Sequence, residues 1–447
     1  MTPEKLKEME KKGLVFIDPS KIYNYGSSSV FVGDIPRYNA FGMVYYDFLN
    51  GLRIISLDQE NEYDYELYDD FTNTLISRGV LIKNGKLESR RRHFVKYRFR
   101  ILKEGKLLFE HTMDLKGRNV VISLPFYSGI GDDIAWFSSV PEFQKKNKCH
   151  VTVVMKSLTS LLFQKQYPEI RFVEKVDTTK EDFYALYILA LDQNQDNKVM
   201  LELPFDWRFA GFANSIPYAL GLMGNVLKRA KVDLSAKRMI KDKYVCISAK
   251  ASNIQKQWNN PKGWDEVVRF LKDAGYRVLV IDASNNLDEN TPPSTCHFPD
   301  NGAEDFTGKL PLQERLNLIK DADFFIGLCS GLSWLSWLAK TPTVVIGGFS
   351  HPENEFKTPY RAINWHFCNS CWSDKTQAGC KQLEIEEIKP EDICPKHFMT
   401  PQMFQCSGRI TPEHVINIIQ TIPEFNGKIS SGRKEYKKGL KDIEINQ

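Results

Sequence analysis

The sequence predicts an α/β protein built from two Rossmann-like lobes with a β-rich segment in front of them. Three observations carry this. Seven short apolar runs read as buried parallel strands, helical spacing fills the intervals between them, and the runs fall into two sets. Asn119 to Leu124, His150 to Met155 and Ile170 to Glu174 form the first set. Tyr244 to Ser248, Arg277 to Asp282, Phe324 to Leu328 and Thr343 to Gly347 form the second. A helical stretch near Ala213 to Ala230 separates them. At 447 residues the chain has room for two or three domains. The expected boundaries are a β-rich domain at 1–115, a first lobe at 116–235, a second lobe at 236–427 and a charged tail at 428–447.

Within the first domain, Val95, Tyr97, Phe99 and Ile101 alternate with Lys96, Arg98 and Arg100, the period of a half-buried strand. Asn84-Gly85 and Glu104-Gly105 lie between such runs as hairpin turns. Arg90-Arg91-Arg92-His93 reads as a solvated strand face. A net charge of +4 on a chain with 26% charged residues implies no nucleic-acid partner. The N-terminus carries no apolar run of the signal-peptide kind, and no apolar stretch is long enough to span a bilayer, so a cytoplasmic protein is expected.

The first run of the first lobe leads into Ser128-Gly129-Ile130-Gly131-Asp132-Asp133. Glycines there permit a tight turn and close ligand approach. Asp132 can serve as a general base toward an acceptor hydroxyl, or Asp132 or Asp133 can simply cap the next helix. In the second lobe, Lys250 and Lys256 follow the first run, where a fixed cation would stabilise a departing diphosphate. Ser330-Gly331-Leu332-Ser333 opens a helix directly after Phe324 to Leu328 and predicts a phosphate site on backbone N–H groups. The pattern is neither G-x-G-x-x-G nor a P-loop. Asp282 can accept from ribose hydroxyls or form a turn.

Of nine cysteines, Cys149, Cys246, Cys296 and Cys329 are scattered and read as small core hydrophobes. Cys368-Asn-Ser-Cys371, Cys394 and Cys406 have the spacing of a tetrahedral four-thiolate metal site within a finger at 365–410. Zinc and iron both accept that ligand set, and four sulfurs leave no open position, so the metal is expected to be structural. Cys380, in a loop insertion at Asp374 to Leu383, is left out of the ligand set.

Several strings together resemble the bacterial autotransporter heptosyltransferases. They are Gly131-Asp132 with Ile134-Ala135-Trp136, Lys256 with Trp258-Asn259-Asn260-Pro261, Gly331-Leu332-Ser333-Trp334, and Cys368-Asn-Ser-Cys371-Trp372. Phe349-Ser350-His351-Pro352, Glu355-Phe356, Thr358-Pro359-Tyr360 and Ile410-Thr411-Pro412-Glu413 extend the match over roughly residues 120 to 415. The resemblance implies a GT-B fold, an ADP-heptose donor, serine hydroxyls of an autotransporter adhesin as acceptors, iron in the four-cysteine finger, and a homo-oligomeric ring, reportedly a dodecamer. By position it implies Asp132 as catalytic base, Lys256 as the diphosphate contact, and Ser330 to Ser333 as the phosphate loop. Two departures stand out. The Cys380 insertion lengthens the gap between the second and third presumed ligands, and Cys329 stands where the broader lipopolysaccharide heptosyltransferases have an acidic, sugar-contacting residue. The alternatives are a lipopolysaccharide or capsule acceptor on the same fold, or an inactive sugar-nucleotide-binding scaffold.

Overall fold

The computed structural model describes residues 29–49, 51–89, 94–124, 128–189, 211–222, 228–252, 254–283, 301–372, 394–398 and 400–426. Arg90 to His93, Cys296, Cys380 and the tail at 428–447 lie outside them. The chain divides into two compact units. One takes the described residues within Met1–Ser128, Trp136–Asp206 and Asn214–Lys228; the other takes those within Gly129–Ala135, Trp207–Ala213 and Arg229–Gln447. Among the described residues no helix is long and apolar enough to cross a membrane.

In the first unit, Arg171–Val173, His150–Val154, Asn119–Ser123 and Ala185–Ile188 pair in parallel in that order. Val120, Val121 and Ile122 are fully buried, as a strand covered on both faces requires. Three of these strands were expected; Ala185–Ile188 was not among them. The sheet does not stop where a boundary at residue 115 would end it. Val44–Leu49 adds in parallel beside Ala185–Ile188, and Arg53–Ser56 and Lys86–Glu88 follow antiparallel. The buried pair Arg53 Nη2 to Asp47 Oδ2, 2.5 Å, ties the first two of those together. The N-terminal segment therefore contributes strands to the first Rossmann-like sheet, because Val44, Phe48 and Ile54 are apolar enough to be buried there.

A separate antiparallel sheet holds, in spatial order, Thr74–Leu81, Tyr63–Asp69, Tyr97–Lys103 and Lys106–Thr112. Tyr97, Phe99 and Ile101 are buried as their alternation predicts. Glu104 and Gly105, at φ 52° and 75°, form the hairpin turn expected there, since a two-residue turn with both φ positive matches strand twist. Asn84-Gly85 also turns the chain, but it is not a hairpin. It joins Thr74–Leu81 in one sheet to Lys86–Glu88 in the other.

The second unit holds one all-parallel sheet of six strands. In chain order they are Tyr244–Ile247, Arg277–Val280, Glu304–Asp305, Phe324–Leu328, Thr343–Ile346 and Arg361–Ala362, and they lie in the spatial order 3-2-1-4-5-6. Val245, Ile247, Val278, Val280, Ile326 and Ile346 pack with Val267 and Leu271 of helix Gly263–Asp273 and Val415 and Ile419 of helix Pro412–Ile419. Thr411 Oγ1 caps the latter helix by accepting from His414 N at 3.2 Å.

Candidate active site

The strand order of the second sheet reverses between Tyr244–Ile247 and Phe324–Leu328, which pair Val245 to Phe324 and Ile247 to Ile326. Neighbouring connections leave such a point on opposite faces, which opens a crevice beyond the carboxyl ends of the strands. Ser248 to Lys250 leaves from one side and Cys329 to Gly331 from the other.

Asp282 fixes the first of these loops. Its Oδ1 accepts from Ser248 Oγ at 2.7 Å and its Oδ2 from the Ala249 amide at 2.9 Å, and the residue is only 4% exposed. Arg315 in turn donates to the carbonyls of Asp282, Phe306 and Gly308. Of the two readings open for Asp282, turn formation is the one this geometry favours, because both carboxylate oxygens are engaged within the fold. Burial pushes its pKa from 3.8 up to about 6, against the opposing effect of the Ser248 and Ala249 hydrogen bonds. The folded state thus holds this proton more tightly than the unfolded chain. The associated stability is greatest in acid, declines as pH rises from about 4 to about 6, and is level beyond. Asp282→Asn should remove that slope. Relative to wild type, the variant should gain up to about 3 kcal/mol in unfolding free energy between pH 4 and 7. A wild-type-minus-variant difference independent of pH in chemical denaturation would contradict the assignment.

The second loop caps helix Gly331–Ala339. Ser330 occupies the cap position in extended backbone, at φ −144° and ψ 172°, and makes no side-chain cap bond. Its Oγ is buried without a hydrogen-bond partner. Ser333 Oγ donates to Leu328 O at 2.6 Å and the residue is fully buried, so that hydroxyl closes the turn. Any anion here meets the first-turn N–H groups of Gly331, Leu332 and Ser333, which have no partner within the helix.

Gly129–Ala135 belongs to this second unit, and it packs directly on the same turn. A Cβ on Gly131 would lie 2.7 Å from Trp334 Cδ1, and one on Gly331 would lie 2.7 Å from Ile130 Cβ. Glycine at both positions lets the starts of two helices, Ile130–Phe137 and Gly331–Ala339, approach each other. Asp132 Oδ2 accepts from Gly129 N at 2.7 Å, the reciprocal half of a capping box. The cap reading is therefore real, and it leaves the residue only half-buried, whereas Asp133 is fully buried and unsuited to meet an acceptor.

Lys256 ends the 3-10 turn Ile254–Lys256. Trp258, almost fully buried, donates from its indole N–H to Ile410 O at 2.9 Å. Asn259 Nδ2 donates to Ser407 Oγ at 2.9 Å, and Asn260 Nδ2 to Gly408 O at 3.3 Å. These bonds hold the lysine's turn to the segment that follows Cys406. The charges of Lys256 and Arg361 act on Glu355 and Cys329, and the charge of Asp132 acts on Glu355. Burial pushes the Glu355 carboxyl above its usual range, Arg361 and Lys256 oppose that rise, and Asp132 adds to it. Sequence reading assigned no role to Glu355 or Arg361; Glu355-Phe356 served only as a point of resemblance.

The finger cysteines also converge. Cys371, Cys394 and Cys406 are buried and Cys368 is half-buried. Burial, reinforced by the neighbouring thiols of Cys394 and Cys368, pushes Cys371 up to about 12. Gln405 Nε2 donates to Cys368 Sγ at 3.4 Å. Ser370 N to Gly348 O, 2.8 Å, and Trp372 N to Phe349 O, 3.1 Å, moor the Cys-x-x-Cys turn. Four thiols of this kind suit iron or zinc chemically. Among the described residues, however, no group of three or more His, Cys, Asp or Glu has metal-holding geometry.

Residues 210–385 match the family model for glycosyltransferase family 9 (heptosyltransferase). Over 88% of its length the chain is 38% identical to the autotransporter heptosyltransferase Aah of Escherichia coli, covering 96% of that protein. It is 30% identical to the inactive autotransporter heptosyltransferase BimC of Burkholderia thailandensis, with 87% of this chain and 88% of that protein aligned. Among solved structures it resembles the dodecameric iron-containing heptosyltransferase TibC in complex with ADP-D-β-D-heptose. There the TM-score is 0.78 at 36% identity, covering 88% of this chain and 98% of the other.

Proposed function

The chain belongs to the autotransporter heptosyltransferases, and on that footing we propose that it transfers heptose from ADP-heptose to serine hydroxyls of an autotransporter adhesin, inverting the anomeric centre. The fold is GT-B-like. BimC of Burkholderia thailandensis is an inactive relative, so the reading of turnover rests on the site residues. The observation that carries the reading is the close packing of the Asp132 helix start on the Ser330-Gly331 helix start, where a Cβ on Gly331 would lie 2.7 Å from Ile130 Cβ.

In the proposed reaction the acceptor oxygen bonds to the anomeric carbon as the bond from that carbon to the diphosphate oxygen breaks. The hydroxyl proton passes to Asp132, and ADP leaves with the bonding electrons. Lys256 and the N–H groups of Gly331, Leu332 and Ser333 neutralise the charge that develops on the diphosphate. Asp282 serves the donor through the Ser248–Lys250 loop that it holds. Positioning of the acceptor against the donor supplies much of the rate.

Cys368, Cys371, Cys394 and Cys406 would hold one iron, with zinc as the alternative. Such an ion would supply structure and not catalysis, since four thiolate ligands would leave no position for substrate. The proposal extends to a cytoplasmic, homo-oligomeric enzyme, supported by the dodecameric solved relative.

Co-expression with an autotransporter passenger tests the reading. Intact mass of the passenger should show a ladder of heptose-sized increments. An unmodified passenger, with core lipid also unmodified, would assign the chain to the inactive branch.

A further inference from the structure

We propose that Glu355, together with Asn354 and Ser330, forms a hydroxyl-reading wall for the sugar carried by the donor. This rests on the proposed function above and assigns its sugar contact. Asn354 and Glu355 are 4% and 9% exposed, yet Asn354 Oδ1 and Glu355 Oε2 have no hydrogen-bond partner, and neither has Ser330 Oγ. Buried polar atoms are normally paired, so three orphans on adjoining residues mark a place where a ligand completes the bonding.

They do lie together. Ser330 follows the strand Phe324–Leu328, and Asn354 and Glu355 follow its parallel neighbour Thr343–Ile346. Cys329, next to Ser330, lies beside the Glu355 carboxyl, and its sulfur stands 2.7 Å from where a Cβ on Gly347 would be. The wall therefore sits at the carboxyl edge of the second sheet, within the electrostatic reach of Asp132 and Lys256.

The orphan atoms define the ligand class. A carboxylate oxygen and an amide oxygen only accept hydrogen bonds, and the serine hydroxyl does either. An anionic group such as phosphate offers no donors to the Asn354 and Glu355 oxygens. A metal cation is disfavoured by Lys256 and Arg361, whose positive charges already act on the same carboxyl group. A polyhydroxylated ring supplies O–H donors and no charge. This wall would read the sugar while the helix start and Lys256 hold the diphosphate.

Calorimetric titration of the full-length protein with ADP and with ADP-heptose separates these contributions. Glu355→Gln keeps the shape of the side chain but replaces one carboxyl oxygen with an amide donor. It should weaken ADP-heptose binding by about tenfold or more and leave ADP binding within about twofold. Asn354→Ala provides a second variant with the same expected selectivity, should the first fail to fold. Equal losses for both ligands, or none for either, in the folded variants would overturn the proposal. So would wild-type protein that binds ADP and ADP-heptose equally well, since no sugar contact would then exist. Wild-type protein that binds neither ligand would instead refute the donor assignment on which the wall rests.

Discussion

Asp132→Asn should lower turnover by about 10²- to 10⁴-fold while ADP-heptose binding stays within about twofold, because the substitution removes a base and no diphosphate contact. Asparagine is the informative replacement. Its side-chain oxygen can still accept from Gly129 N, as Asp132 Oδ2 does at 2.7 Å, so the start of helix Ile130–Phe137 keeps its cap. Any large loss of rate then reports the missing proton acceptor and not a frayed helix. Initial rates at saturating donor, together with donor titration, give the two numbers. Near-normal turnover would leave Asp132 with its cap role alone and would move the search for a base elsewhere, but not to Asp133, which is fully buried.

Much of the second unit was legible because its strands are continuous apolar runs between helical intervals. Phe324–Leu328 falls where expected, and Tyr244–Ile247 and Thr343–Ile346 differ from expectation by one residue at one end. Glu304–Asp305 and Arg361–Ala362 were not legible, since two-residue edge strands carry no period. The same limit hid the role of Val44–Leu49. Its Tyr45 and Asp47 give it the look of a half-exposed strand, and only pairing beside Ala185–Ile188 explains why Asp47 is buried with Arg53.

The site divides in the same way. Residues made conspicuous by local pattern, such as the Gly131-Asp132 turn and the Ser330-Gly331 helix start, could be read from their neighbours in sequence. Glu355 could not. A glutamate in a loop between buried strands is ordinarily solvated, and only the fold shows that this one is buried. Asp282 was legible as to place but not as to role, because only the fold reveals that both its oxygens face the Ser248–Ala249 turn.

Single Cys→Ser substitution at position 368, 371, 394 or 406 should reduce bound metal from about one ion per chain to nearly none, whereas Cys380→Ser should leave it unchanged. The expectation rests on a spacing that presents two thiols from one short turn and two from a second segment. The converging burial of Cys371, Cys394 and Cys406 supports it. The loss should propagate. Cys394 packs with Ile254 and Phe404, and a Cβ on Gly348 would come 2.6 Å from Cys406 O, so the finger sits against the turn of Lys256 and the end of the fifth strand. Ser407, one residue beyond Cys406, receives Asn259 Nδ2. Without a metal to cross-link them, these short segments have little apolar core of their own. The melting temperature should fall by roughly 10 °C, the scale of about 3–5 kcal/mol for a unit of this size. Donor affinity should fall with it, because Lys256 shares the loosened turn. Elemental analysis and thermal melts of the wild type and the five single variants decide the matter. Full occupancy in Cys371→Ser, or loss in Cys380→Ser alone, would overturn the ligand set.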